Sequence, residues 1–139
     1  MPIPDMPHHF VKWTNPTEVV KVNLENNTSS QFRINEKYIH IGRDLRGGSQ
    51  VIKWNDGWLA ITHELEQMET KHEVSGIKDA KYLSRFVFWD KDWNITKTSE
   101  DFLFMDARIE FTTGLAEYNE EFVLATFGWA DCSAYTAKI

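Results

Sequence analysis

SQVIKWNDGWLAITHE, residues 49–64, is the stretch on which the reading of this chain turns. Two runs rich in β-branched and aromatic residues flank Asn55-Asp56-Gly57, and Asp-Gly supplies the positive φ angles that a tight turn demands. The stretch reads as a β-hairpin. Directly before it stand Arg46, Gly47 and Gly48. In an antiparallel hairpin the start of the first strand lies beside the end of the second. Arg46, Ser49, His63 and Glu64 are therefore expected to meet at one rim of a sheet.

Moving towards the N-terminus, TEVVKVN (17–23) is a short β-branched strand, and residues 25–30 form a polar turn. FRINEKYIHI (32–41) is a further strand or an irregular connection. Pro2, Pro4 and Pro7 make residues 1–16 an extended, mobile arm. Towards the C-terminus, residues 65–80 are charged and lack a helical period, which predicts a loop. YLSRFVFWD (82–90), WNITKTS (93–99), DFLF, ARIEFTTGLAEY, FVLATFGWAD and SAYTAKI then follow as strands. Lys91-Asp92 and Asn119-Glu120-Glu121 are the turns between them. Nothing is helical, so the fold class is all-β.

One two-hairpin unit runs from Ser49 to about Ser99, and another from near Arg108 to Ile139. A spacing of roughly 40 to 50 residues with four short strands is the signature of propeller blades; a β-sandwich has turns at similar spacing. The blade reading divides the single domain 1–139 into an incomplete blade over 17–44 and blades over 45–104 and 105–139.

The 139 residues include six Trp, nine Phe and four Tyr, and such aromatic density serves packing between sheets or a sugar-binding surface. The net charge of −6, from 21 acidic and 15 basic residues, speaks against nucleic acid, which needs a basic stripe. Acidic runs such as Glu64 to Glu69 and Glu117 to Glu121 read as solvated loops. With no close ligand cluster, no metal or cofactor is expected. A single cysteine, Cys132, no charged-then-apolar leader and no long apolar run predict a cytoplasmic protein with no membrane partner.

Several residues carry candidate chemistry. The Arg46 fork suits a ligand phosphate or carboxylate, and the glycines beside it admit a ligand or another backbone; an acid on a neighbouring sheet is the alternative partner. Alternation sends His63 and Glu64 to opposite faces, so only one of them addresses a shared ligand. A neutral His63 imidazole is suited to a sugar hydroxyl, or to a structural role. Arg85 interrupts an apolar strand and needs an acid, for which Glu110 in RIEFTTGL is the natural candidate. That pair is either architectural or a substrate-binding arginine beside a general acid. Asp131 binds a ligand or caps a turn, and Trp129 stacks on a sugar or packs in the core.

Taken together, LRGGSQVIKWNDGWLAITHE, KYLSRFVFWDKDWNITKTSEDFLF and RIEFTTGLAEYNEEFVLATFGWADCSAYTAKI resemble the C-terminal portion of five-bladed β-propeller domains related to glycoside hydrolases and mannoside phosphorylases, often found beside glycosyltransferase modules. The resemblance spans Leu45 to Ile139, and KWTNPTEVVKVN is similar to the family's preceding strand. It implies a partial propeller of about 2.5–3 blades that binds or processes a glycan or sugar phosphate. Arg46, Ser49, His63, Arg85 and Asp131 would be the substrate-binding residues and Glu110 the catalytic one. Ser84 stands where the family has a histidine before Arg-Phe, and the blades that carry a second catalytic acid have no counterpart here. Glycosidase chemistry needs two carboxylates. The alternative function is thus a structural or interaction domain without chemistry. Three blades leave open edges, which imply missing N-terminal blades of a longer chain or self-association.

Overall fold

The computed structural model describes residues 1–41, 44–67, 80–106 and 109–139, and every regular element within them is a β-strand. In chain order these are β1 (His9–Trp13), β2 (Thr17–Asn23), β3 (Thr28–Asn35), β4 (Arg46–Gly47), β5 (Ile52–Trp54), β6 (Gly57–Gln67), β7 (Ala80–Asp90), β8 (Ile95–Thr98), β9 (Glu110–Glu117), β10 (Val123–Trp129) and β11 (Ser133–Lys138). They form three antiparallel sheets: β1-β2-β3, a central sheet of β4 and β5 on β6, then β7 and β8, and β9-β10-β11. None is closed into a barrel. Among the described residues no helix is long and apolar enough to cross a membrane.

The central sheet carries a core on each face, as period-two alternation requires of a strand buried on both sides. On one face Ala60, Val87, Trp89 and Trp93 pack against Val11 and Val19 of the N-terminal sheet, with Ile3 and Val51. The Trp89 indole donates to Thr17 Oγ1 at 2.9 Å, which satisfies its one polar atom inside that core. On the other face Ile52 and Ile61 meet Leu115, Val123 and Ala125 of the C-terminal sheet. Phe104 stacks on Phe127 at 4.1 Å beside them.

Local chemistry explains the turns. Trp54 pairs with Gly57, leaving Asn55-Asp56 as the loop, and the positive φ (51°) belongs to Asn55. Gly57 is required for clearance instead, since a Cβ there would lie 2.1 Å from the Trp89 carbonyl oxygen. At the β7–β8 turn Asp90 Oδ1 accepts from the Asp92 and Asn94 amides, each at 2.9 Å. Asn119 Oδ1 accepts likewise from Glu121 and Phe122. Such side-chain acceptors replace the backbone partners a turn leaves unmet.

Two expectations change. Residues 1–16 are not a loose arm. Ile3 is only 2% exposed, the Met1 ammonium donates to Val11 O at 2.7 Å, and Pro2 O accepts from Val51 N at 2.8 Å. Proline lacks an N–H but keeps its carbonyl, so a proline-rich segment can still serve as an acceptor edge. The loop expected over 65–80 begins later than the charge pattern suggests, because β6 continues to Gln67 and β7 begins at Ala80. Its remainder, 68–79, lies outside the described residues, as does Arg108, and so does Glu69 of the first acidic run.

Candidate functional site

The hairpin brings its two ends together at the rim. Arg46 sits opposite His63 in the ladder and Gly47 opposite Thr62, while Ser49 N donates to Ile61 O at 2.9 Å. Arg46 is exposed and lines a cleft of about 460 Å³ with Lys12, Trp13, Asn15 and Asp44. This cleft opens between the N-terminal and central sheets. Trp13 is 60% exposed, whereas Lys12 is engaged with Glu18 at 3.1 Å. Asn15 is engaged as a clamp, donating to Ile39 O at 2.6 Å and accepting from Ile39 N at 3.0 Å.

The two glycines after Arg46 make room for protein. A Cβ on Gly48 would meet the Ile61 carbonyl oxygen at 2.7 Å, and one on Gly47 would meet the Met1 side chain at 2.9 Å. Ser49 is buried. Its hydroxyl donates to Gln50 O at 2.8 Å and accepts from Ile61 N at 2.9 Å, so it bridges the gap between β4 and β5.

His63 and Glu64 take opposite faces, as alternation demands. His63 is buried against the rings of Phe111 (4.8 Å) and Tyr82 (5.5 Å), with no hydrogen-bond partner at Nδ1. Burial first, then the Arg46 charge, hold its pKa below the ordinary value; a hydrogen bond with the Gly47 backbone opposes them. The imidazole is thus neutral at pH 7 and a potential acceptor.

Arg85 does not pair with Glu110. Its Nε meets Glu64 Oε1 at 2.5 Å, its Nη1 donates to Ser99 O, and its Nη2 lies 3.6 Å from Asp101 Oδ1. The register explains this: Thr62 stands opposite Arg85, so Glu64, two residues on, lies on Arg85's face of the sheet. Glu110 is 0% exposed and belongs to the C-terminal sheet. Its carboxylate accepts from Phe104 N at 2.6 Å and Met105 N at 3.2 Å. The carboxyl group placed as a general acid is therefore occupied by the backbone of the segment that enters this sheet. Ser84, in the position of the family's histidine, is buried with its Oγ 3.4 Å from Thr112 Oγ1.

Asp131 is exposed in the β10–β11 turn. Ala130 and Asp131 both adopt positive φ (51° and 54°), and Cys132 N donates to Trp129 O at 3.1 Å. It does not line the Arg46 cleft. Of the residues named from sequence, the rim brings Arg46 and His63 together and engages Ser49, Arg85 and Glu110 in the framework. Trp13 and Asn15 were missed: β1 was read as part of the arm, so nothing placed its residues beside Arg46. Among the described residues no group of three or more His, Cys, Asp or Glu is arranged to hold a metal.

Comparison with models of protein families, with curated proteins and with solved structures finds no match to this chain.

Proposed function

We propose that this chain is a partial β-propeller module that binds a glycan or sugar phosphate in the Arg46 cleft. The observation that carries this reading is the pairing of an exposed arginine with an exposed tryptophan around about 460 Å³ of open space. A guanidinium fork matches a phosphate or carboxylate in two hydrogen bonds, and an indole face suits the C–H face of a sugar ring. Three antiparallel sheets stacked in chain order support the blade reading.

Binding without chemistry is the form of this function that the geometry favours. Hydrolysis calls for two accessible carboxylates flanking the bond. Glu110 is wholly buried and engaged with two backbone amides, and Glu64 is held by Arg85. A structural or interaction domain is the competing reading, favoured by the same buried carboxylates.

Thermal-shift and calorimetric titration with mannose, mannose 1-phosphate, mannose 6-phosphate, oligomannosides and inorganic phosphate tests the proposal. A saturable signal with at least one sugar or sugar phosphate is expected, lost in Arg46→Ala and weakened in Trp13→Ala. A signal indifferent to Arg46→Ala, or none with any of these ligands, overturns it in favour of the structural reading.

A further inference from the structure

The face of the central sheet that carries Ile61 is covered by the C-terminal sheet only in part. Leu59 and Phe86 sit half-buried at the margin of that core, and Phe88 continues their row two residues on. With Trp54 they form an apolar cleft of about 450 Å³, edged by Asp56 and Lys97. The Phe88 ring reaches over Gly57, to 2.6 Å from where a Cβ would stand, and so towards Trp54, the residue paired with Gly57. Trp54 and Asn55 also line a second cleft, of about 910 Å³. Its described lining carries four acids, Asp5, Glu117, Glu120 and Glu121, against one cation, Lys53. Neither cleft shares a residue with the Arg46 cleft.

We propose that these two clefts form one groove for an extended peptide of a partner protein. The peptide sets an apolar side chain on Leu59, Phe86 and Phe88 and basic side chains among the four acids. This stands apart from the sugar-binding reading and does not depend on it.

Charge identifies the occupant. Among the described residues none of the four carboxylates stands in an ion pair. Lys53 meets Asp5 through its backbone amide, at 3.4 Å. Lys138 is engaged over the rings of Phe122 and Tyr118, at 4.7 and 5.5 Å, and lines neither cleft. Like charges around one opening repel, and an incoming lysine or arginine relieves that repulsion while being steered by it. An acidic segment or a nucleic acid is turned away by the same rim. Trp54 stands between the two clefts, and an indole is the best ring for a passing cation.

The apolar cleft supplies the grip. Exposed charge pairs are individually weak, whereas burying one leucine or phenylalanine side chain strengthens binding about ten- to a hundredfold. Spacing fixes the pattern. Strands β5, β6, β7 and β8 lie side by side, so the path from the acidic cleft to Lys97 crosses three inter-strand steps, about 14 Å. An extended chain covers that distance in about four residues.

Fluorescence anisotropy on the whole chain tests the proposal, with labelled peptides of about nine residues that carry Lys-Arg and, about four positions away in either direction, Leu or Phe. Saturable micromolar binding is expected. Replacing Lys-Arg by Glu-Glu, or the Leu or Phe by Gly, should weaken it about tenfold or more, and so should raising salt from about 50 to about 300 mM. On the protein side Glu117→Gln with Glu120→Gln, both exposed, should cost about tenfold, and Trp54→Ala a similar factor. Thr98→Trp fills the apolar cleft from an exposed position and repeats that arm should Trp54→Ala lose its fold. No binding by any of these peptides at millimolar concentration overturns the proposal, as does binding indifferent to the protein variants. Spermine that competes as well as the unlabelled peptide overturns it too, by reducing the groove to its acids. So does sedimentation at a doubled mass that Thr98→Trp abolishes, which would give the groove to a second copy of this chain.

Discussion

Arg46 and Arg85 flank β6 at adjacent rungs, one opposite His63 and the other opposite Thr62, and they behave as different kinds of residue. Arg46 stands on a two-residue strand at an open rim, with its side chain exposed to a cleft. Arg85 lies within an eleven-residue strand, and its guanidinium ties β6, β7 and the crossing segment around Ser99 and Asp101 into one unit. An unspent cation near solvent is available to a ligand. A buried one whose donors are used holds the framework and is available to nothing else. Residue type alone makes the two look alike; the number of covering layers separates them.

The largest expected effect tests the interior half of this comparison. Arg85→Ala leaves the Glu64 carboxylate buried without its cation and is expected to cost about 3–5 kcal/mol in urea unfolding. The double variant Arg85→Met with Glu64→Leu removes both charges and should recover much of that loss. A single variant as stable as the wild type would break the comparison. Next, Glu110→Ala deprives the Phe104 and Met105 amides of their acceptor and should cost about 2–3 kcal/mol, measured the same way. If Glu110→Ala instead left stability untouched, the framework role assigned to this carboxylate would fail.

A smaller effect comes from pH. His63 is held below its ordinary value when folded, so the unfolded chain takes up the proton first. Its contribution is fully present above the unfolded value of about 6.5 and is lost as pH falls from there towards the lowered folded value. Melting temperature should therefore decline between about pH 7 and 5, and His63→Phe should flatten that decline relative to the wild type. The smallest effect belongs to Arg46→Ala, expected to change stability by less than about 0.5 kcal/mol while removing any ligand-induced shift. A large stability loss there would make Arg46 another framework cation.

How much of this was legible in the sequence depends on which contacts are local. The hairpin over 49–64 was readable because its turn is two residues long and register follows from it. The opposite faces of His63 and Glu64 followed from strand period alone. The partner of Arg85 was not readable, because β6 and β7 are joined through a long connection that leaves their register undetermined. Glu110 looked apt from its apolar neighbours, yet Glu64 lay two rungs away on the same face. Gly57 shows the same limit at smaller scale: Asp-Gly announces a turn, but the obstacle that demands glycine is the Trp89 carbonyl, thirty-two positions on. Residues 1–16 were misjudged because proline content predicts missing donors and says nothing of a carbonyl that Val51 can use.

One side chain joins the central and C-terminal sheets in a way with mechanical meaning. The Gln50 carboxamide donates to Leu115 O at 2.5 Å and accepts from Leu115 N at 3.2 Å, occupying the place of a neighbouring peptide group. The two layers are thereby indexed to each other. Sliding by a single residue, about 3.3 Å, forfeits both bonds at once, with no intermediate stop at which one survives. Under load the junction is expected to yield by abrupt release, the outer layer peeling away whole before any creep between the two has begun.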